Sequence, residues 1–287
     1  MRLNPFNPSD INVREGGGGG FNFPGGGGGL GCGGLIIVLI GALVFGVNPM
    51  QMLGGMQGTQ QEAPASQGAQ SVQQLCTQNA YATEACNALE SLDQTWEPVF
   101  RQAGIPFTKP ALVFYKGGTQ SGCGAAQAAM GPFYCPDDQS IYIDTSFYDE
   151  MQNKLGTGPG DFARYYVIAH EFGHHVQKLT GVSDQVASIE QQDPQHANQA
   201  SVRLELQADC YAGVWAGKNR NLIEPGDFEE GMKAANAIGD DTLMRHSGQA
   251  VVPDNFTHGT SAQRMEALRL GMQSGDDSAC DRYMRAG

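Results

Sequence analysis

Positive charge is scarce in this chain, and the places where it is missing carry information. Against 30 Asp and Glu stand 17 Lys and Arg, a net charge of −13 over 287 residues. A surface of that sign repels phosphate backbones, which excludes a nucleic-acid partner and is compatible with basic substrates. No charged residue lies between Gly16 and Gln61, and no Lys or Arg lies between Arg14 and Arg101. No Cys-x-x-Cys occurs among the seven cysteines, so the usual thiolate metal grip is absent. The glycine runs 16–20 and 25–29 follow no recognisable strand pattern and precede no Gly-Lys-Ser/Thr, so they are no phosphate loop.

The uncharged region speaks to location. Leu30 to Val47 is an 18-residue apolar and glycine run, at the lower length limit for crossing a bilayer. Its glycines weaken it as a soluble helix and are common in membrane ones. A cleaved signal peptide would have a shorter apolar core nearer the start, followed promptly by a small-x-small site, and none follows. The reading is therefore an anchor: a Gly-rich cytoplasmic stub over 1–29, a transmembrane helix over 30–50, a flexible Gln-, Gly-, Ala- and Ser-rich linker over 51–73 and a single domain over 74–287. Arg2 and Arg14 precede the apolar run, so the positive-inside rule predicts a single-pass inner-membrane protein with its domain extracytoplasmic, or periplasmic.

Cysteine usage agrees with an oxidising compartment. Cys32 falls in the apolar run, which leaves six: Cys76, Cys86, Cys123, Cys135, Cys210 and Cys280. Fifteen pairings are open to six cysteines. Short loops favour Cys76–Cys86 and Cys123–Cys135, which leaves Cys210–Cys280. Six free thiols in a cytosolic domain is the alternative.

Within the domain, Asp161 to Leu179 has apolar residues at three- and four-residue steps, with Gly181 as a stop, and predicts a largely buried helix. It contains His170-Glu171-Phe172-Gly173-His174. Residues four apart share a helix face, so His170 and His174 can offer two imidazoles to one ion. Glu171 lies about 100° round the helix, within reach of a water on that ion. Gly173 costs about 1 kcal/mol in a helix relative to Ala, acceptable where an ion site or a substrate strand packs close. A second helix over about Gln195 to Lys218 carries Glu205 and Asp209 on one face beside an apolar stripe. Two carboxylates there need positive partners: a metal for Glu205, and the outer N–H of a ligating histidine for Asp209. Thr260 and Gln263 form a capping box that opens a further helix, with His258 just before it and Arg264 inside.

His-Glu-x-x-His followed by Glu-x-x-Ala-Asp resembles the gluzincin metallopeptidases, in particular the small membrane-associated ones related to CaaX prenyl endopeptidases. The stretch from Lys109-Pro110 through Cys123, Gly131-Pro132-Phe133-Tyr134-Cys135, the His170 helix, Glu205-Leu206-Gln207-Ala208-Asp209 and His258-Gly259-Thr260-Ser261-Ala262-Gln263-Arg264 resembles the bacterial family called putative neutral zinc metallopeptidases. The resemblance implies Zn2+ held by His170, His174 and Glu205, Glu171 as general base, and Asp209 behind a ligating histidine. It also implies His258 as oxyanion stabiliser and Arg264 as the residue that orients substrate or another cleft group.

The fold expected is a helix-rich α/β (α+β) zincin-like domain, a small mixed sheet over the two metal-bearing helices. Ala111–Tyr115 and Ser140–Asp144 are strand candidates, Met130–Tyr134 a strand facing substrate, and Phe147–Leu155 a helix. The function expected is a membrane-anchored zinc endopeptidase acting on peptide or protein substrates. The alternative is a zinc-containing peptide-binding adaptor with little or no turnover.

Overall fold

A computed structural model describes residues 1–17 and 70–285, and its first element is a short strand near the N-terminus. Strand β1, Asn12–Glu15, pairs in parallel with β2, Ala111–Phe114, with Val13 opposite Leu112. After Gly104 two more short strands, β3 (Gly118–Ser121) and β4 (Gly124–Gln127), form a separate hairpin. Strands β5 (Phe133–Cys135) and β6 (Ser140–Ile143) complete the main sheet, whose order is β1-β2-β6-β5. Pairing is parallel from β1 to β6 and antiparallel between β6 and β5. The two central strands, Ala-Leu-Val-Phe and Ser-Ile-Tyr-Ile, are buried at every position, which is why they read as continuous apolar runs.

The first residues are bound to the body along their length. The Met1 ammonium lies 2.8 Å from Asp161 Oδ1 and 2.7 Å from Asp227 Oδ1. Phe6 N–H donates to Asn87 Oδ1, and Gly16 N–H to the Phe114 carbonyl. Residues 1–17, expected within a stub apart from the domain, are thus part of its sheet and its surface. A strand does precede the first glycine run; it is too short and too mixed in composition to be seen in sequence. Among the described residues no helix is long and apolar enough to cross a membrane, and the 30–50 stretch lies outside them.

The helices follow in chain order: α1 (Val72–Cys76), α2 (Ala80–Ala103), α3 (Ser146–Lys154), α4 (Asp161–Leu179), α5 (Val182–Gln192), α6 (Ala197–Lys218), α7 (Asp227–Ala237), α8 (Asp240–His246) and α9 (Ser261–Ser274). The α4 helix is the central element, packed against α2, α6 and α7 and touching the sheet through β5 and β6. The architecture is a helix-rich α/β body with a four-stranded mixed sheet, as expected, and a separate two-stranded hairpin.

Close helix approach is built on glycine. A Cβ on Gly173 of α4 would stand 2.8 Å from the Ala208 carbonyl oxygen of α6, so these two helices cross backbone to backbone. That contact, not an ion or a substrate strand, is the reason for glycine at 173. The α6–α9 pair is equally tight: a Cβ on Gly213 would lie 2.2 Å from the Leu268 carbonyl oxygen. All three expected pairings form: Cys76–Cys86 and Cys123–Cys135 across short loops, and Cys210–Cys280 across a separation of 70. The last ties α6 to the turn that ends the chain.

Candidate metal centre and its cavity

Crossing at Gly173 brings the two helices close enough for their side chains to share one point. His170 Nε2 lies 3.1 Å from Glu205 Oε2, and His174 Nε2 lies 3.4 Å from Glu205 Oε1. All three donors are within 4.8 Å of one another. The other ring nitrogens are spoken for by acceptors. His170 Nδ1 meets Asp209 Oδ1 at 2.8 Å, and His174 Nδ1 meets Gln177 Oε1 at 2.8 Å. The Gln177 amide is itself fixed, donating to the Leu204 carbonyl and to Gln207 Oε1. Nδ1–H of each imidazole is thus fixed outward and Nε2 faces Glu205, so that an ion displacing the proton shared there would meet two neutral imidazoles through Nε2, which is how histidine binds zinc.

The electrostatics fit a cation. Burial disfavours the His170 imidazolium, yet Asp209 and Glu205 outweigh it and raise its pKa to about 10. Glu205 is held well below the carboxylate range, against its burial, chiefly by His174 and His170. Two nitrogens and one carboxylate that hold each other in charged form mark a place where a divalent ion would replace the shared protons.

Behind His170 lies a buried cluster that sequence spacing only half showed. Besides His170, Asp209 Oδ1 accepts from the Tyr166 hydroxyl and from Arg264 Nη2, the latter at 2.9 Å; Oδ2 accepts from Arg264 Nε at 2.8 Å. Burial would raise the Asp209 pKa, but Arg264 and His170 hold it down at about 2. Arg264 is 2% exposed and also donates to the Ile238 carbonyl. Its guanidinium is thus committed to Asp209. Arg264 orients the carboxylate that meets His170 and also borders the cavity, a position that fits the orienting of a cleft group.

His258 reaches the same cavity from the loop before α9, whose Thr260–Gln263 capping box is present as expected. Asp240, at the start of α8, accepts the backbone N–H groups of Thr257, His258 and Gly259 on Oδ2, and its Oδ1 lies 3.1 Å from His258 Nδ1. This carboxylate sets both the loop and the ring, and no spacing rule pointed to it. His175, one step from the ligand face, is fully buried. Its Nε2–H donates to the Thr108 carbonyl at 2.7 Å, so its Nδ1 accepts from the Tyr134 hydroxyl. It braces loop and sheet, and its burial lowers its pKa to about 4.

A cavity of about 270 Å³ opens beside these groups, reached by His170, Glu171, His174, Glu205 and His258. Glu171 is 8% exposed and has no hydrogen-bond partner among the described residues. Its burial is the main influence on its pKa and raises it, while His170 and His174 pull the other way. Met130 to Tyr134 lines the cavity, though only Phe133–Cys135 is strand; Ala128–Met130 is a 3₁₀ turn. Strand β5 is nonetheless the sheet's outer edge on this side. A second acidic group, Asp161, Asp227 and Glu230, is also within metal-binding reach, but the Met1 ammonium and the Phe162 N–H already meet it.

The family described as "Putative neutral zinc metallopeptidase" matches residues 7–283. The chain belongs to that family. Among the relatives of this chain, the protein YpfJ of Escherichia coli is 46% identical over 257 residues, covering 88% of this chain and 87% of YpfJ. A Mycobacterium tuberculosis protein is 39% identical over 209 residues, 68% of each chain. Both are described as uncharacterized. No solved structure matches the chain.

Proposed function

We propose that this family member is a zinc-dependent endopeptidase whose centre is His170, His174 and Glu205. The observation that carries the reading is Glu171: a buried carboxylate facing the cavity beside three converging donors, with no structural partner of its own among the described residues. A closed structural site has no use for such a group. Zinc held by these three side chains would supply Lewis-acid polarisation and make a nearby water more acidic. Glu171, facing the cavity beside them, would accept a proton from the attacking water and return it to the leaving amine. His258, with Nδ1 turned to Asp240, presents Nε2 to the carbonyl oxygen of the scissile bond. Asp209, Tyr166 and Arg264 hold His170 in register.

The same proposal places the enzyme at a membrane, anchored by its apolar stretch, with the catalytic body on an oxidising, extracytoplasmic side. The three disulfides support that side.

Purified protein with zinc counted by mass spectrometry tests the chemistry. Glu171→Gln is expected to keep its zinc and lose chelator-sensitive cleavage of casein by at least a hundredfold. Glu205→Ala is expected to lose the zinc. Retained cleavage in the first variant would remove Glu171 as base. Zinc without turnover in the wild type would favour the peptide-binding adaptor.

A further inference from the structure

We propose that Glu190 makes the cavity a receptor for a basic side chain, so that the preferred peptides carry Lys or Arg next to the scissile bond. The inference rests on the peptidase reading for the word "scissile" and on separate residues for the rest.

Helix α5 turns Ser183, Val186, Ala187 and Glu190 to the cavity, the three- and four-residue spacing of one helix face. The other side of α5 faces solvent, with Ile189 at 46% exposure, whereas Glu190 is 8% exposed. This carboxylate is therefore inside the protein and borders the cavity. Oε1 accepts from the Ser201 hydroxyl at 2.6 Å. Its second oxygen has no partner, and no Lys, Arg or His forms an ion pair with it, among the described residues. A staple between α5 and α6 explains one oxygen only. A carboxylate with so little exposure, on a cavity also lined by Val186, Leu204 and Val167, is costly unless a positive group meets it, and the open side from which one can come is the cavity.

Its place relative to the metal centre follows from α6. Ser201 and Glu205 are four residues apart on one face, about 6 Å along the axis. The Glu190 carboxylate, bonded to Ser201, thus stands about one helical turn from the metal-binding point. A residue flanking the scissile carbonyl would span that gap with a four-carbon lysine stem or an arginine of similar reach, its methylenes against the apolar wall and its cation on Glu190. The net charge of −13 steers cationic peptides toward the protein at long range. Glu171 and Glu205 do not fill this role, since base and ligand chemistry occupies them.

Matched fluorogenic peptides with Lys, Arg or norleucine, placed in turn on each side of the cleaved bond, test the assignment. The ratio of kcat/KM for Lys over norleucine is expected to be at least tenfold at one of the two positions. In Glu190→Gln, whose amide oxygen still accepts from Ser201, the ratio is expected to fall to near one. The same peptides are titrated by fluorescence polarisation against zinc-loaded Glu171→Gln with and without Glu190→Gln, so that the result does not depend on turnover. Equal affinity for Lys and norleucine peptides, or a basic preference that survives Glu190→Gln, overturns the proposal and leaves the peptidase reading standing. A Glu190-dependent basic preference in binding, with no turnover by the wild type, upholds it and overturns the peptidase reading instead.

Discussion

Asp209 shows what a single buried carboxylate does here. It accepts from His170, Tyr166 and Arg264 at once, and each donor is itself buried. Its replacement by Ala frees the His170 ring and leaves the Arg264 cation in the interior without its carboxylate. Zinc affinity is expected to fall 10- to 100-fold, as found for outer partners of ligating histidines, measured by competition with a chromophoric chelator. Stability is expected to fall by about 3–5 kcal/mol. Asp93 is the opposite case: 1% exposed, with neither oxygen hydrogen-bonded among the described residues, and pushed up to about 8 mainly by burial. The unfolded chain releases that proton near pH 4, the folded protein near pH 8. Between those values the unfolded state binds fewer protons, so stability falls as pH rises, by several kcal/mol overall. Asp93→Asn removes this cost: its urea midpoint is expected to exceed that of the wild type at pH 8, with the difference fading toward pH 4. At this scale His170 with His174 and Glu205 with Asp209 were legible, because four-residue spacing puts each pair on one helix face, and Glu171 because it directly follows His170. Asp240, Tyr166 and Glu190 were not. Their partners are set by how loops and helices meet, which a single chain of letters does not display.

Among the elements, α4 and α6 decide the site, and Gly173 decides how near they come. Gly173→Ala would improve helix propensity by about 1 kcal/mol, yet its methyl would meet the Ala208 backbone, which has no rotamer to change. The net effect expected is destabilisation of about 1–2 kcal/mol with weakened zinc binding, read by thermal unfolding and metal competition. On the far side of α6, the Cys210–Cys280 bridge closes a loop with a sequence separation of 70. Removing it by a double Ser substitution is expected to cost about 4 kcal/mol in denaturant unfolding. The long helices and the α9 capping box were readable because periodicity and caps are local signals. β1 was not, for Asn-Val-Arg-Glu has one buried residue in four and its partner begins almost a hundred residues later.

For the whole molecule, that short strand matters more than its length suggests. The sequence alone suggested two compartments joined by one crossing, with Arg2 and Arg14 on the cytoplasmic side. Yet Arg14 pairs opposite Val113 and its guanidinium reaches Ser140 Oγ on the third strand of the sheet. Residues before and after the apolar stretch belong to a single folded body, and one body occupies one side of a bilayer. In a Cys32→Ser background, Ser9→Cys and Gln102→Cys, both exposed, are expected to react alike with a membrane-impermeant maleimide applied to spheroplasts. Opposite labelling would mean that β1 does not pair in the membrane-bound protein. Like labelling would put Ser9 and Gln102 on the same side of the membrane. The chain would then dock on its membrane from one side, and the count of positive charges ahead of the stretch would say nothing about which side that is.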